Sequence, residues 1–385
     1  MPKSNEFLLR SLTDQVIAYA DEHYQMSDLE SFNKFIRIFY SQSPYEELKQ
    51  REIRDLAGLV QRNWQLLQTR EPGEIKISMI DSDLKSDGWQ THGLSIAVLC
   101  QDAPFLVDTI RLEINKINLP INLIIHVGGM VVERDKQGNL IDFDFFRRYD
   151  TKQSIEAPIL FEVQAFPDEE LQISIAARLE RVIKDALLAV RDWQPMRSRM
   201  SDAVKKIKLH KEFYQKAADI KESTAFLEWL LEDNFIFLGA RDYIVEGEGN
   251  DQCLKLVSGS GLGVLSNEEK SQIVRKFTNL PAKATKLMRA NDRILMISKS
   301  NTLSTVHRSG YTDYIGIKQF DQQGNLIGER RFIGLYTSAA YHSSPSQIPF
   351  LGKKVDAVLK RSGLREHSHA EKELITILAT LPRDD

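Results

Sequence analysis

Cysteine is scarce in this chain of 385 residues, with only Cys100 and Cys253. Each lies in an apolar, strand-like run far from the other. That excludes a disulfide framework and any knuckle-type metal site, and it fits buried, reduced thiols of a cytoplasmic protein. Long apolar runs are missing too. Nothing approaches the roughly 18 residues of a membrane helix, and the N-terminal segment mixes Lys3, Glu6, Arg10 and Asp14 with apolar positions, unlike a signal peptide. A soluble, cytoplasmic protein is expected. Charge of one sign is also lacking, since 51 basic residues meet 54 acidic ones for a net −3. Such a balance creates no field to collect nucleic acid or an anionic membrane, so neither is expected as a partner. No Gly-Lys-Ser or Gly-Lys-Thr phosphate loop occurs, the eight histidines form no His-Glu-x-x-His, and no Gly-x-Ser-x-Gly elbow exists. These absences exclude the corresponding phosphate, zinc and serine-hydrolase sites.

What is present is globular, with 42% hydrophobic and 27% charged residues. Domains run to about 100 to 200 residues, so two or three units are expected. The pattern predicts an α+β, multidomain chain. Residues 1–72 read as N-terminal helices. Ser27-Asp-Leu-Glu30 and Ser43-Pro-Tyr-Glu46 have the form of capping boxes, and Pro44 suits a first helical position. The second helix should run to about Thr69, before Glu71-Pro-Gly73 stops it.

Residues 73–195 switch period. His92 to Cys100 is a compact apolar strand, and Asp102-Ala-Pro should open a helix with Leu106, Ile110, Ile114 and Ile117 on one face. Strands are expected at Ile121 to Val132, Leu140 to Phe146 and Ile159 to Phe166. Asp135-Lys-Gln-Gly138-Asn139 makes a turn between the first two. After Pro167 a long helix carries the stripe Ile175, Leu179, Val182, Ile183, Ala186 and Val190. This order is a ferredoxin-like, ACT-type βαββαβ module, with a fourth strand before the last helix or in place of the usual last strand.

Linking helices follow at 196–233. Their run Lys205-Lys-Ile-Lys-Leu-His-Lys211 reads as a solvated face balanced by Glu212, Asp219 and Glu222 rather than a phosphate-binding stripe. Residues 234–342 supply strand candidates at Phe235, Cys253, Ile294, Tyr314 and Arg331, in a sheet expected to be antiparallel because Asp321-Gln-Gln-Gly324-Asn325 is a hairpin turn. C-terminal helices at 343–385 use Val355, Val358 and Leu359 inward, Gly363 as a stop and Ser368-His-Ala-Glu371 as a capping box.

Several residues invite a chemical reading. Gly259-Ser-Gly261-Leu-Gly263 looks like a dinucleotide loop, but Val264 stands where the next turn of that fingerprint needs glycine, and no βαβ unit surrounds it. His367 and His369 should be exposed at a helix start, and His126 and His307 satisfied in apolar strand surroundings. Arg330 and Arg331 with Glu329 should form cross-strand pairs. No metal site and no catalytic constellation emerge. The remaining candidate is the strand-to-helix turn of Gln101, Asp102, Ala103, Pro104 and Phe105, where free amide hydrogens at a helix start could attract a carboxylate.

One stretch ties these parts together: Thr305-Val-His-Arg-Ser-Gly-Tyr-Thr-Asp-Tyr-Ile-Gly-Ile-Lys318, then Gly328-Glu-Arg-Arg-Phe-Ile-Gly-Leu-Tyr-Thr-Ser-Ala-Ala-Tyr341, then Ser344-Pro-Ser-Gln-Ile-Pro-Phe350. With Asp102-Ala-Pro-Phe-Leu-Val-Asp108, Leu123-Ile-Ile-His126 and Leu381-Pro-Arg-Asp384, it closely resembles the N-terminal region of the large bacterial NAD-specific glutamate dehydrogenases. The resemblance implies that 234–342 is a PAS-like domain. It further implies that a catalytic part lies beyond Asp385, and that the present residues regulate and assemble an enzyme of glutamate catabolism. That enzyme would convert L-glutamate, NAD and water to 2-oxoglutarate, ammonia and NADH. NAD is then the cofactor of the whole enzyme, with none expected in this part, which should be inactive alone. Partners implied are its own catalytic region, other subunits of a homo-oligomer and an amino-acid effector. ACT modules commonly receive such an effector at the strand-to-helix turn, where Phe105 stands in place of the usual glycine and would crowd a ligand. The rival reading is a stand-alone ACT-domain regulator that binds amino acids.

Overall fold

A computed structural model of the chain describes residues 3–145, 154–214, 219–247, 251–268, 274–277, 285, 288 and 292–380. The expected motif Leu381 to Asp384 lies outside these residues, as does the end of the strand expected to reach Phe146. Contacts divide the chain into two compact units, Met1–Leu187 with Thr305–Ser309, and Leu188–Ser304 with Gly310–Asp385.

The first unit begins with helices α1 (Lys3–His23), α2 (Leu29–Tyr40), α3 (Tyr45–Leu48) and α4 (Ile53–Leu67). Their caps differ from expectation. Asp28, not Ser27, caps α2 by accepting the Ser31 N–H at 3.0 Å. Ser43 makes no cap, and Pro44 precedes α3. The long helix expected from Ser43 is two helices, broken between Leu48 and Ile53, where Arg51 reaches a buried carboxylate described below. The face of α2 carrying Phe32, Phe35, Ile36 and Phe39 is buried. Phe35 meets Trp64 of α4 at 5.4 Å between centroids and Phe143 of the adjoining sheet at 6.2 Å. One cluster of buried side chains therefore runs from these helices into the sheet, through Ala97, Leu99, Leu123, Ile125 and Leu160.

That sheet contains β1 (Lys76–Ile80), β2 (Leu94–Gln101), β3 (Ile121–His126), β4 (Met130–Arg134), β5 (Leu140–Phe145) and β6 (Ser154–Val163), all pairings antiparallel. The order is β1-β2-β6-β4-β5, with β3 also on β6. Both β2 and β3 run antiparallel to β6, which lies between them, so β2, α6 (Leu106–Lys116) and β3 form a split βαβ unit around β6. The edge beside β2 is filled by β1, which precedes the unit in sequence. The single strand expected from Ile121 to Val132 is two, because Gly128 and Gly129 turn the backbone at φ +77° and +89°. Helix α5 (Leu84–Asp87) is one short turn, and α7 (Glu169–Arg191) buries Ile175, Leu179, Val182, Ile183 and Ala186 of its expected stripe, with Val190 half-buried. Strands β2 and β6 are buried on both faces, which explains their unbroken apolar sequences.

The second unit holds α8 (Trp193–Leu209) and α9 (Ile220–Trp229) against an antiparallel sheet. Its strands are β7 (Phe235–Glu246), β8 (Cys253–Leu256), β9 (Leu262–Gly263), β10 (Val274–Lys276), β11 (Leu295–Leu303), β12 (Tyr311–Phe320) and β13 (Leu326–Tyr336), ordered β10-β8-β7-β13-β12-β11 with β9 on β7. Helices α10 (Ser338–His342), α11 (Leu351–Ser362) and α12 (His369–Thr380) complete it. Gly363 ends α11 in the left-handed conformation, as expected, while Val358 is 42% exposed rather than inward. The two cysteines are free; Cys100 is buried, its thiol pushed up to about 12 by burial, whereas Cys253 is half-buried.

Candidate functional site

The turn Gln101–Phe105 has a different form from a helix start at Asp102. Strand β2 ends at Gln101, the Asp102 N–H still donates to Ile155 O at 2.9 Å, and α6 opens only at Leu106. Pro104 disfavours the helical region for Ala103, so the helix cannot begin there. Phe105 occupies the N-cap position at φ +72° and ψ 0°, the left-handed region that favours glycine, and no side chain caps α6. The backbone thus keeps a glycine-like shape with a phenyl ring on it.

Phe105 is half-buried. Segment Thr305–Ser309 belongs to the same unit, and His307 lies on the turn with ring centroids 4.8 Å from Phe105. The His307 N–H donates to Thr109 Oγ1 at 3.1 Å, its Nδ1 faces Asp108 Oδ2 at 3.1 Å, and Thr305 Oγ1 donates to Asp185 Oδ2 at 2.8 Å. Val306 is fully buried. Part of the first turn of α6 is therefore contacted by the chain itself, through residues some two hundred positions away, while Asp108 stays exposed. No sequence signal paired Phe105 with His307; both were visible only singly.

His126 is half-buried, and its Nε2 makes no hydrogen bond. Burial holds its imidazole below the ordinary value, with Asp102 opposing. This departs from a fully satisfied histidine. On β6 and α6, buried carboxylates carry paired cations that sequence reasoning missed, because nothing local marks their partners. Glu162 receives Arg51 through two bonds of 2.8 and 2.6 Å, and Ser95 at 3.2 Å. Glu156 receives Arg70 at 3.0 Å and Arg134 at 2.7 Å. Glu113 receives Arg178 at 2.7 Å and Lys116 at 3.2 Å.

In the second unit Arg330 pairs across strands with Asp242 at 3.1 Å, whereas Arg331 bonds Glu329 on its own strand at 3.1 Å and stacks over Tyr243 at 4.2 Å. Arg330 thus pairs across strands, but with Asp242 rather than Glu329, and Arg331 crosses to the neighbouring strand by donating to the Tyr243 hydroxyl at 3.0 Å. Lys205, Lys206 and Lys208 are exposed, and their countercharges are Asp202 for Lys205 and Glu228 for Lys208; Glu222 pairs with Lys353 instead. His367 and His369 are exposed, as expected. At that helix start Ser368 Oγ accepts the Glu371 N–H at 3.2 Å, and the Glu371 carboxylate accepts the His367 N–H.

The glycine-rich loop tests whether a nicotinamide dinucleotide fits here. It does not. Gly263 lies in β9, and its N–H donates to the Asp192 carboxylate at 2.7 Å, so an anion of the protein already takes the amide a pyrophosphate would need. Residues 264–268 form a turn and irregular chain rather than a helix. Among the described residues no group of histidine, cysteine, aspartate and glutamate could hold a metal ion, and no helix is long and apolar enough to cross a membrane.

Comparison with known proteins agrees on one family. Residues 35–179 match the glutamate dehydrogenase ACT1 domain, and residues 348–385 match glutamate dehydrogenase helical motif 1. The chain is 33% identical over 351 residues to an NAD-specific glutamate dehydrogenase of Halomonas elongata, covering 91% of the chain and 22% of that protein. It is 30% identical over 368 residues to one of Pseudomonas aeruginosa, covering 94% of the chain and again 22% of the relative. An NAD-specific glutamate dehydrogenase of Mycobacterium tuberculosis is 20% identical over 306 residues. The chain spans about a fifth of the length of these relatives.

Proposed function

The chain corresponds to the N-terminal region of the NAD-specific glutamate dehydrogenase family, and from that premise we propose that it is a non-catalytic segment devoted to regulation and subunit association. The whole enzyme would convert L-glutamate, NAD and water to 2-oxoglutarate, ammonia and NADH, with the nicotinamide held outside these residues. The observation that carries this reading is coverage: relatives with this activity in their names align to 91–94% of the chain while 22% of their own length is used. The occupied amide at Gly263 supports the same division of labour.

Residues 73–195 are read as an ACT-type module and 234–342 as a PAS-like domain, on the split βαβ order and the antiparallel sheet respectively. Association is supported by exposed apolar side chains where α7 begins, with Phe166 60%, Leu171 40% and Ile173 63% exposed, and by the sheet edges at β5 and β11, which suit pairing between chains. Effector sensing is assigned to the turn Gln101–Phe105, and a ligand there would have to displace His307 from Phe105 and Thr109. The chain incubated with glutamate and NAD should form no NADH by absorbance; steady production overturns the non-catalytic assignment. Isothermal titration with glutamate and aspartate at millimolar concentration tests the effector part, which is withdrawn if no heat develops. Light scattering should give a mass above that of one chain, and a monomer removes the association part.

A further inference from the structure

A cavity of about 380 Å³ opens in the second unit, between α9, β11, β13 and the chain entering α11. Its volume is that of a small-molecule site. Of the aromatic rings in the lining, four pack in a chain: Phe226 lies 5.8 Å from both Trp229 and Phe350, and Trp229 lies 6.1 Å from Tyr336. Phe350 holds its ring there at a cost, since its backbone sits at φ +67°, a region that a bulky residue seldom enters. The Phe350 N–H donating to Glu222 Oε2 at 2.9 Å keeps it in place. The charged groups in the lining are two lysines, Lys299 and Lys354, against one aspartate, Asp313, which Lys299 meets at 2.8 Å. Lys354 is exposed and stands in the first turns of α11, a helix whose opening turn carries no acidic residue. Flat apolar walls with surplus positive charge define the ligand class.

We propose that this cavity binds a small organic monocarboxylate with a planar, apolar body. The rings sandwich the body, and the carboxylate faces Lys354 beside the Lys299–Asp313 pair. This site is separate from the Gln101–Phe105 turn and does not rest on the effector reading given to that turn.

The test uses the 385-residue chain and three probes of one shape: hydrocinnamate, its uncharged amide, and the cation phenylpropylamine. Isothermal titration should show saturable binding of hydrocinnamate, with the amide and the amine each weaker by up to about fivefold, as loss of one exposed charge contact implies. Lys354→Glu should weaken hydrocinnamate by a similar factor, and Ser298→Trp, which fills the cavity from an exposed position of β11, should abolish it. Lys354→Gln is the milder check, and circular dichroism on all three variants establishes that they are folded. Absence of saturable heat with hydrocinnamate overturns the proposal. So does equal binding of acid and amide, or wild-type binding by folded Lys354→Glu and Ser298→Trp.

Discussion

Glu162 is fully buried, and both terminal nitrogens of Arg51 meet it. Removing one partner of such a pair strands a charge away from water. Arg51→Met alone should therefore cost about 3–5 kcal/mol in chemical denaturation, whereas Arg51→Met with Glu162→Leu should recover most of that loss. A double variant as unstable as the single one would show that the pair does more than neutralise itself. His126 supplies a pH-dependent counterpart. Burial holds its folded pKa below the unfolded value of about 6.5, so in the window below 6.5 the unfolded chain binds more protons, and stability falls as pH drops. Urea midpoints at about pH 7.5 and about pH 5.5 should diverge more for the wild type than for His126→Gln, whose side chain does not titrate. Neither feature could be read in advance. The residue types were visible, but burial and partnership are set by distant chain.

Elements were more legible where their signal is local. Asp135 and Asp321 each accept N–H bonds from the second and fourth residues ahead, and each turn closes on a left-handed glycine, at φ +81° for Gly138 and +75° for Gly324. The repeated Asp-x-x-Gly-Asn sequence foretold both turns because all the bonding groups lie within five residues. Their surroundings differ, however. A Cβ on Gly138 would lie 2.6 Å from Arg70 O, while one on Gly324 would, among the described residues, come no nearer than 3.8 Å, to Phe213 O. Gly324→Ala should thus cost roughly 1–2 kcal/mol for the left-handed backbone alone, and Gly138→Ala distinctly more, by thermal or urea unfolding. Equal losses would mean that Arg70 yields freely. Helix starts were less legible: the cap of α2 moved to Asp28, and α6 began after Phe105. Several polar residues near a helix start compete for the role of cap, and the winner depends on where the preceding chain must go.

At the scale of the whole molecule, one core joins the N-terminal helices to the first sheet, so α2 should unfold together with β6. Hydrogen exchange checks this: amides of α2 and β6 should share one opening free energy, and early exchange of α2 alone would show that the helices stand apart. The split βαβ order was readable from strand and helix periodicity, since these patterns repeat every two or about four residues, and the antiparallel second sheet from the hairpin turn at Asp321. The family too was legible, because motifs spread from Asp102 to Phe350 keep their order. By itself, then, the sequence determined the local alphabet: turns, stripes, buried strands and kinship. Tertiary structure alone decided that His307 packs on Phe105, that Arg51 answers Glu162, and that packed rings and two lysines line one cavity. Each of those contacts joins positions far apart in the chain, and a contact at such separation leaves no periodic trace in either of its ends.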